Sequence, residues 1–457
     1  MLPELRPPVP GPLSRQWAEH LRVGESRNVT FISEDSPIFW EKAEGTNVWD
    51  CDGNRYLDLT SAFGVAGLGH RHPAIEAAIT SQAKRLWHAM GDVHPSPLKA
   101  QLCEKLVAMT FGRWGLQGRV ILGNSGFEAV EAAIKTAHLA TGRPGVIAFG
   151  GSYHGLGFGA LDATGWPFFR EPFLRQLKHF TSFATYPTCY RCPFGCREGF
   201  RLIGRDAPSC SSRCLDKIRK EIEALARKRQ IGAILVEPVQ GRGGEWFPPH
   251  EFLPMLRGLA TEHELLLIVD EIYTGLWRTG HLWACEADQV IPDILCTAKA
   301  LAGGFPISAS VGRRDLIDAW PESKGEALHT STHLGNPLGC AMAIASLDVW
   351  SGPEWAGATA RIGRRFHDGL ARLKERHPGV GHFRGRGALW AMDIVTESGD
   401  PDAARCNALV SAALAKGLIL LSAGTAGNVI SIAPPLIITD DEIAWAVDCL
   451  DSLLAGG

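Results

Sequence analysis

At 457 residues, with 45% of them hydrophobic, the chain can bury a large core and is long enough for two or three domains. A formal net charge of -3, with acids and bases mixed along the chain, gives no electrostatic footprint for nucleic acid or for an anionic membrane surface. No uncharged apolar run approaches the ~18 residues of a membrane-spanning helix, so small molecules are the expected partners.

In chain order, residues 1–65 read as a Pro-containing N-terminal arm and a small antiparallel segment. Residues 1–12 are Pro-rich and lack the basic start and apolar stretch of a secretory signal, which makes the cytoplasm the expected location. Residues 48–58 predict two short strands around the turn Asp52-Gly53-Asn54. Over 66–335 the pattern becomes buried strands alternating with helices. The strands are signalled by Val120-Ile121-Leu122, Val146-Ile147-Ala148-Phe149, Ile234-Leu235-Val236, residues 265–269 and residues 307–311. Such alternation predicts an α/β fold: a mostly parallel sheet covered on both faces, with its ligand site at the carboxyl ends of the strands. Helices over 338–349 and 360–373 and a strand over 387–394 then predict a smaller α+β domain at 336–457.

Seven of the twelve cysteines are scattered singly, as reduced and buried small hydrophobes would be. The other five, Cys189, Cys192, Cys196, Cys210 and Cys214, fall in an insertion at about 187–215. Their C-x₂-C spacing suits tetrahedral zinc, but reduced thiols or a local disulfide are the preferred account, and no metal site is assigned.

The residues at the strand ends carry the chemistry. Asp270 ends a strand of apolar residues, where an uncompensated carboxylate is costly, so a cationic partner is expected. Lys299 follows the next strand. A lysine can form a Schiff base with an aldehyde, and a buried carboxylate can keep a pyridinium nitrogen protonated; together the pair predicts pyridoxal phosphate and electron-sink chemistry. Ser125, Gly126 and Phe127 open a helix whose amide groups make a phosphate site, although alone a plain N-cap is the simpler account. Tyr153 follows a strand where an aromatic ring can stack on a flat heterocycle, with His154 beside it. Glu237 ends another strand and leads into Pro238-Val239-Gln240-Gly241-Arg242-Gly243-Gly244, whose glycines let backbone approach a ligand closely.

In this order the motifs resemble the class III pyridoxal-phosphate aminotransferases, the family of the ornithine, acetylornithine and 4-aminobutyrate enzymes. Matching pieces include Gly69-His70-Arg71-His72-Pro73, Asn124-Ser125-Gly126, Tyr153-His154-Gly155, Asp270-Glu271-Ile272, Lys299, Thr332 and Gly335-Asn336-Pro337-Leu338. The resemblance implies a fold-type I transferase and a homodimer with shared active sites. It further implies that Lys299 carries the Schiff base and shuttles the proton while Asp270 pairs with the ring nitrogen. Ser125, Gly126 and the Phe127 amide would hold the phosphate, Tyr153 would stack on the ring, Ile272 would pack behind it, and Thr332 would reach the neighbouring subunit's phosphate. The reaction implied is ping-pong transfer of an amino group from an amine or amino acid to a 2-oxo acid. Racemisation or epimerisation of amino acids, and decarboxylation of the dialkylglycine type, use the same fold and lysine.

The chain departs from this pattern around the substrate carboxylate. Many relatives carry Glu where this chain has Arg242, and Arg in the segment that here reads Ile430-Ser431-Ile432-Ala433-Pro434-Pro435-Leu436. In relatives such as ornithine aminotransferase those two positions form an ion pair, so Arg242 is expected to be a relocated carboxylate anchor. Phe127 replaces a hydroxyl residue, and Tyr273 stands where some relatives use Gln near the cofactor's phenolic oxygen.

Overall fold

A computed structural model describes residues 1–33, 35–195, 210–228 and 230–456. The chain forms two compact units, Pro73–Pro353 on its own and Met1–His72 together with Glu354–Gly457.

Pro73–Pro353 is built on a seven-stranded sheet. Its strands in chain order are β1 (Gly118–Gly123), β2 (Gly145–Phe149), β3 (Thr181–Ala184), β4 (Ile231–Val236), β5 (Leu266–Asp270), β6 (Ile294–Thr297) and β7 (Ser308–Arg313), and they lie side by side as β1-β7-β6-β5-β4-β2-β3. Only β7 runs against the others. Every residue of β2, β4 and β6 is buried, the mark of strands covered on both faces. One cover is helix α1 (Gly126–Thr141), whose Ala129, Val130, Ala133 and Ala137 recur at helical spacing and pack on Val146, Leu235 and Ile268. Small alanines let the helix sit close to the sheet, and Gly142 ends it in the left-handed conformation at φ +67°.

This is the predicted α/β architecture, with two additions. Strands β3 and β6 have four residues each, too short for a distinctive run. The helix Pro337–Trp350 belongs here rather than with the C-terminal segment, because its Cys340, Ala343 and Leu347 are buried as it packs on helices Pro73–Ala83 and Pro97–Met109.

In the other unit, Asn47–Asp50 and Arg55–Asp58 form the expected hairpin, with Val48 opposite Tyr56. The arm before it contains a helix, Pro12–Gly24, started by a proline at its first position. Arg55–Asp58 also pairs in parallel with Leu418–Ile419, which ties the N-terminal segment into one body with the C-terminal one. A second sheet, ordered Val380–Arg386, Leu389–Ile394, Val429–Ile432 and Leu421–Ala423, is antiparallel throughout. It contains Ser431, buried and opposite Ala391 and Leu421. Helix Glu354–Arg376 turns Ile362, Phe366, Leu370 and Leu373 inward.

Of the clustered cysteines, Cys196 and the side chain of Cys210 lie outside the described residues. Cys192 Sγ stands 3.1 Å from Cys214 Sγ. Among the described residues no helix is long and apolar enough to cross a membrane.

Candidate active site

Strands β1, β6, β5, β4 and β2 run in one direction, so the segments after them emerge along one edge of the sheet. Those segments carry Ser125, Lys299, Asp270, Glu237 and Tyr153-His154. Parallel strand order is thus what gathers residues that are far apart in sequence.

Ser125 is the N-cap of α1, with extended backbone. The Glu128 carboxylate accepts its N–H at 2.9 Å, yet its own Oγ is buried without a hydrogen-bond partner. A cap hydroxyl held inward and uncompensated beside the free amides of a helix start is suited to an anion. Gly126 lies close against Ile272: a Cβ there would meet its Cδ1 at 3.1 Å. Phe127 lies on the first turn, half-exposed, and Gly155 packs directly on it.

Asp270, 4% exposed, has a protein partner that its strand context does not reveal. His154 Nδ1 stands 2.8 Å from its Oδ2, and the Ile272 N–H donates to Oδ1 at 3.1 Å. The expected partner is therefore supplied in part by an imidazole 116 positions away, whose Nε2 is itself buried and without a partner. Glu237 is also buried; its carboxylate accepts the Tyr153 N–H at 2.9 Å and the Gly241 N–H at 3.1 Å. Burial pushes its pKa up to about 7, with Asp270 adding to the rise and His154 opposing it.

Lys299 begins a short 3₁₀ turn after β6 with a left-handed φ of +44°. Such a backbone costs about 1–3 kcal/mol in a non-glycine residue and is kept where the surroundings dictate it. Removal from water lowers the amine to about 8, against the opposing pull of Asp270, Glu237 and Glu245; Arg242 lowers it further. At neutral pH about one amine in ten is then uncharged, against roughly one in three thousand for an ordinary lysine. Its Nζ sits 4.1 Å from the centre of the Tyr273 ring.

Arg242 is exposed, and its guanidinium carbon lies 5.6 Å, 5.8 Å and 5.7 Å from the centres of the Tyr153, Trp166 and Phe169 rings. Among the described residues no carboxylate pairs with it. Trp166 and Phe169 have no signature in the sequence, being aromatics in an irregular stretch. Thr332 is exposed on the segment before Pro337–Trp350, next to Ser331, whose Oγ accepts from Asn124 Nδ2 at 3.2 Å.

The constellation fits pyridoxal phosphate: an uncompensated cap hydroxyl for phosphate, an acid–imidazole pair for a ring nitrogen, and a lysine with a lowered pKa. Its chemistry and its α/β scaffold define an enzyme that works on amines through this cofactor. A model of the family described as Aminotransferase class-III matches residues 31–454. The chain is 35% identical to the 4-aminobutyrate aminotransferase of Escherichia coli K12, covering 92% of this chain and 94% of that one. It is 34% identical to the 5-aminovalerate aminotransferase of Pseudomonas aeruginosa, covering 92% and 95%. An amine transaminase from an uncultivated Pseudomonas species, solved with pyridoxal phosphate bound, superposes with a TM-score of 0.84 at 29% identity, covering 94% of this chain and 98% of that one. The chain belongs to the class III aminotransferases and is a pyridoxal-phosphate-dependent aminotransferase. These relatives all transfer amino groups, which favours transamination over racemisation or decarboxylation.

Proposed function

We propose that this aminotransferase takes its amino group from a donor that also carries a carboxylate, of the ω-amino acid kind named for its 4-aminobutyrate and 5-aminovalerate relatives, and that Arg242 anchors that carboxylate. The observation that carries the proposal is the Arg242 guanidinium itself, exposed, framed by three aromatic rings and with no carboxylate partner among the described residues. A guanidinium so framed has aromatic neighbours for its delocalised charge, and its planar fork presents donors that match a carboxylate.

Bound at this site, pyridoxal phosphate supplies the electron sink that makes the donor carbon acidic. Ser125 Oγ and the amides of Gly126 and Phe127 bind the phosphate, and Thr332 serves the phosphate of a second subunit. Ile272 and Tyr153 line the two faces of the ring site. Asp270, held by His154, keeps the ring nitrogen protonated. Lys299, whose free amine titrates near neutrality, would accept and return the proton at the donor carbon when pyridoxal phosphate is bound. Glu237 holds the Tyr153 and Gly241 amides and so fixes the loop that carries Arg242.

The working form is a homodimer with shared sites, located in the cytoplasm. Supporting the dimer, Trp87, Met90 and Val93 are exposed beside residues 330–332, with Thr330 Oγ1 donating to Asp92 at 2.8 Å. Supporting the cytoplasm, Cys285, Cys296, Cys340 and Cys406 are buried thiols, at home in a reducing compartment.

The test is a matched pair of donors, 4-aminobutyrate and n-butylamine, which differ by the carboxylate. Conversion of the bound cofactor is followed by its absorbance. A lower KM for 4-aminobutyrate is expected, and equal KM and rate for the two amines would refute a carboxylate anchor.

A further inference from the structure

Glu245 binds none of the reacting groups assigned above. It comes after Gly243-Gly244, is 2% exposed, and has a left-handed backbone at φ +50°. A buried carboxylate on strained backbone is costly twice over, and both costs persist only where the surroundings impose them. Here the loop is stapled: Gln240 and Trp246 exchange backbone hydrogen bonds at 3.2 Å and 3.0 Å, and the Glu245 N–H donates to the Gly241 carbonyl at 2.9 Å. The staple turns the side chain inward, where its Oε1 accepts from the Tyr273 hydroxyl at 3.3 Å.

Tyr273 is held on its other sides as well. A Cβ on Gly241 would stand 2.6 Å from Tyr273 Cδ1, so the ring lies flat against loop backbone that only glycine leaves open. The Lys299 amine is 4.1 Å from the ring centre. The acid, the phenol and the amine thus form one connected line running into the reacting lysine.

We infer that Glu245 is a positioning residue for Lys299, acting through Tyr273: it fixes the ring against which the lysine's amine rests. This rests on Lys299 being the residue joined to the cofactor. Other charged groups face the same amine, namely Asp270 from the end of β5, Glu237 from the end of β4 and Arg242 from the glycine-rich loop, while His154 is hydrogen-bonded to Asp270. Among these acids, Glu245 is hydrogen-bonded through its carboxylate to a ring that touches the lysine amine.

The test uses the holoenzyme and reads the pH midpoint at which the bound cofactor's visible absorbance changes. Glu245→Gln removes a buried negative charge, and at an effective dielectric near 20 this is expected to lower the midpoint by about one unit. Glu245→Asp should recover most of the shift. Tyr273→Phe should lower the midpoint less, and the double variant should match Glu245→Gln rather than sum the two, because the effects share one path. A Glu245→Gln protein that unfolds at a lower temperature with an unmoved midpoint, or a double variant whose shifts add, would overturn the inference. Lys299→Ala is the control for the reading beneath it. If borohydride reduction still fixed the cofactor covalently to that variant, the assignment of Lys299 itself would fall, whatever Glu245 did.

Discussion

Replacing Arg242 with Met isolates the charge at the site where this chain departs from its relatives. Methionine retains a long polarizable side chain that can rest against Tyr153, Trp166 and Phe169, so the packing changes little. What disappears is a hydrogen bond to a carboxylate between two charged groups. Such bonds contribute about 1.5–3 kcal/mol, and because Arg242 is exposed the lower half of that range applies. At about 1.4 kcal/mol per tenfold, KM for a carboxylated donor should rise roughly 12- to 40-fold. The maximal rate of the half-reaction should change little, since the anchor binds ground state and transition state alike. Arg242→Lys should fall between the two, having the charge without the planar fork. The assay is the single-turnover absorbance change of the bound cofactor against donor concentration, with n-butylamine as the uncharged-tail control. A KM for 4-aminobutyrate that stays put in Arg242→Met, or rises equally for n-butylamine, refutes the anchor.

Three further outcomes test the rest of the site. Ser125→Ala should weaken cofactor binding about tenfold or more by equilibrium titration, yet leave the melting temperature of cofactor-free protein unchanged, because Ser125 Oγ makes no hydrogen bond of its own. Cofactor capture by stripped enzyme should accelerate with rising pH and level off near the Lys299 value of about 8, since the neutral amine is the nucleophile; a rise continuing past pH 10 would mark an ordinary solvated lysine. Gly155→Ala places a Cβ 2.3 Å from that of Phe127 at a φ of +119°, so a loss of about 2–3 kcal/mol is expected in denaturant melts, together with weaker cofactor binding.

Legibility in the sequence tracks the range of the interaction concerned. β4 and β5 are continuous apolar runs, and the acids at their ends, Glu237 and Asp270, can be placed from that fact alone. The hairpin around Gly53 is visible because a turn is local chemistry. By contrast, the His154 bond to Asp270 joins two strands' ends across the sheet, and nothing beside either residue announces the other. Glu245 is silent for a related reason: only the bridge between Gln240 and Trp246 shows that an acid after two glycines points inward rather than into water. The helix Pro12–Gly24 is hidden by the prolines around it, one of which starts it. Helix order alone groups Pro337–Trp350 with the C-terminal segment, whereas its buried face belongs to Pro73–Pro353.

The pairing of Leu57-Asp58 with Leu418-Ile419 bears on the protein's synthesis. Roughly 360 residues separate these partners, so at 5–20 residues per second a ribosome takes about 20–70 s to deliver the second after the first. Pro73–Pro353 is contiguous and can condense as it emerges, while the first hairpin waits with one edge uncovered. Nascent chains halted before residue 418 should therefore protect the large sheet from protease and leave the N-terminal segment open to cleavage.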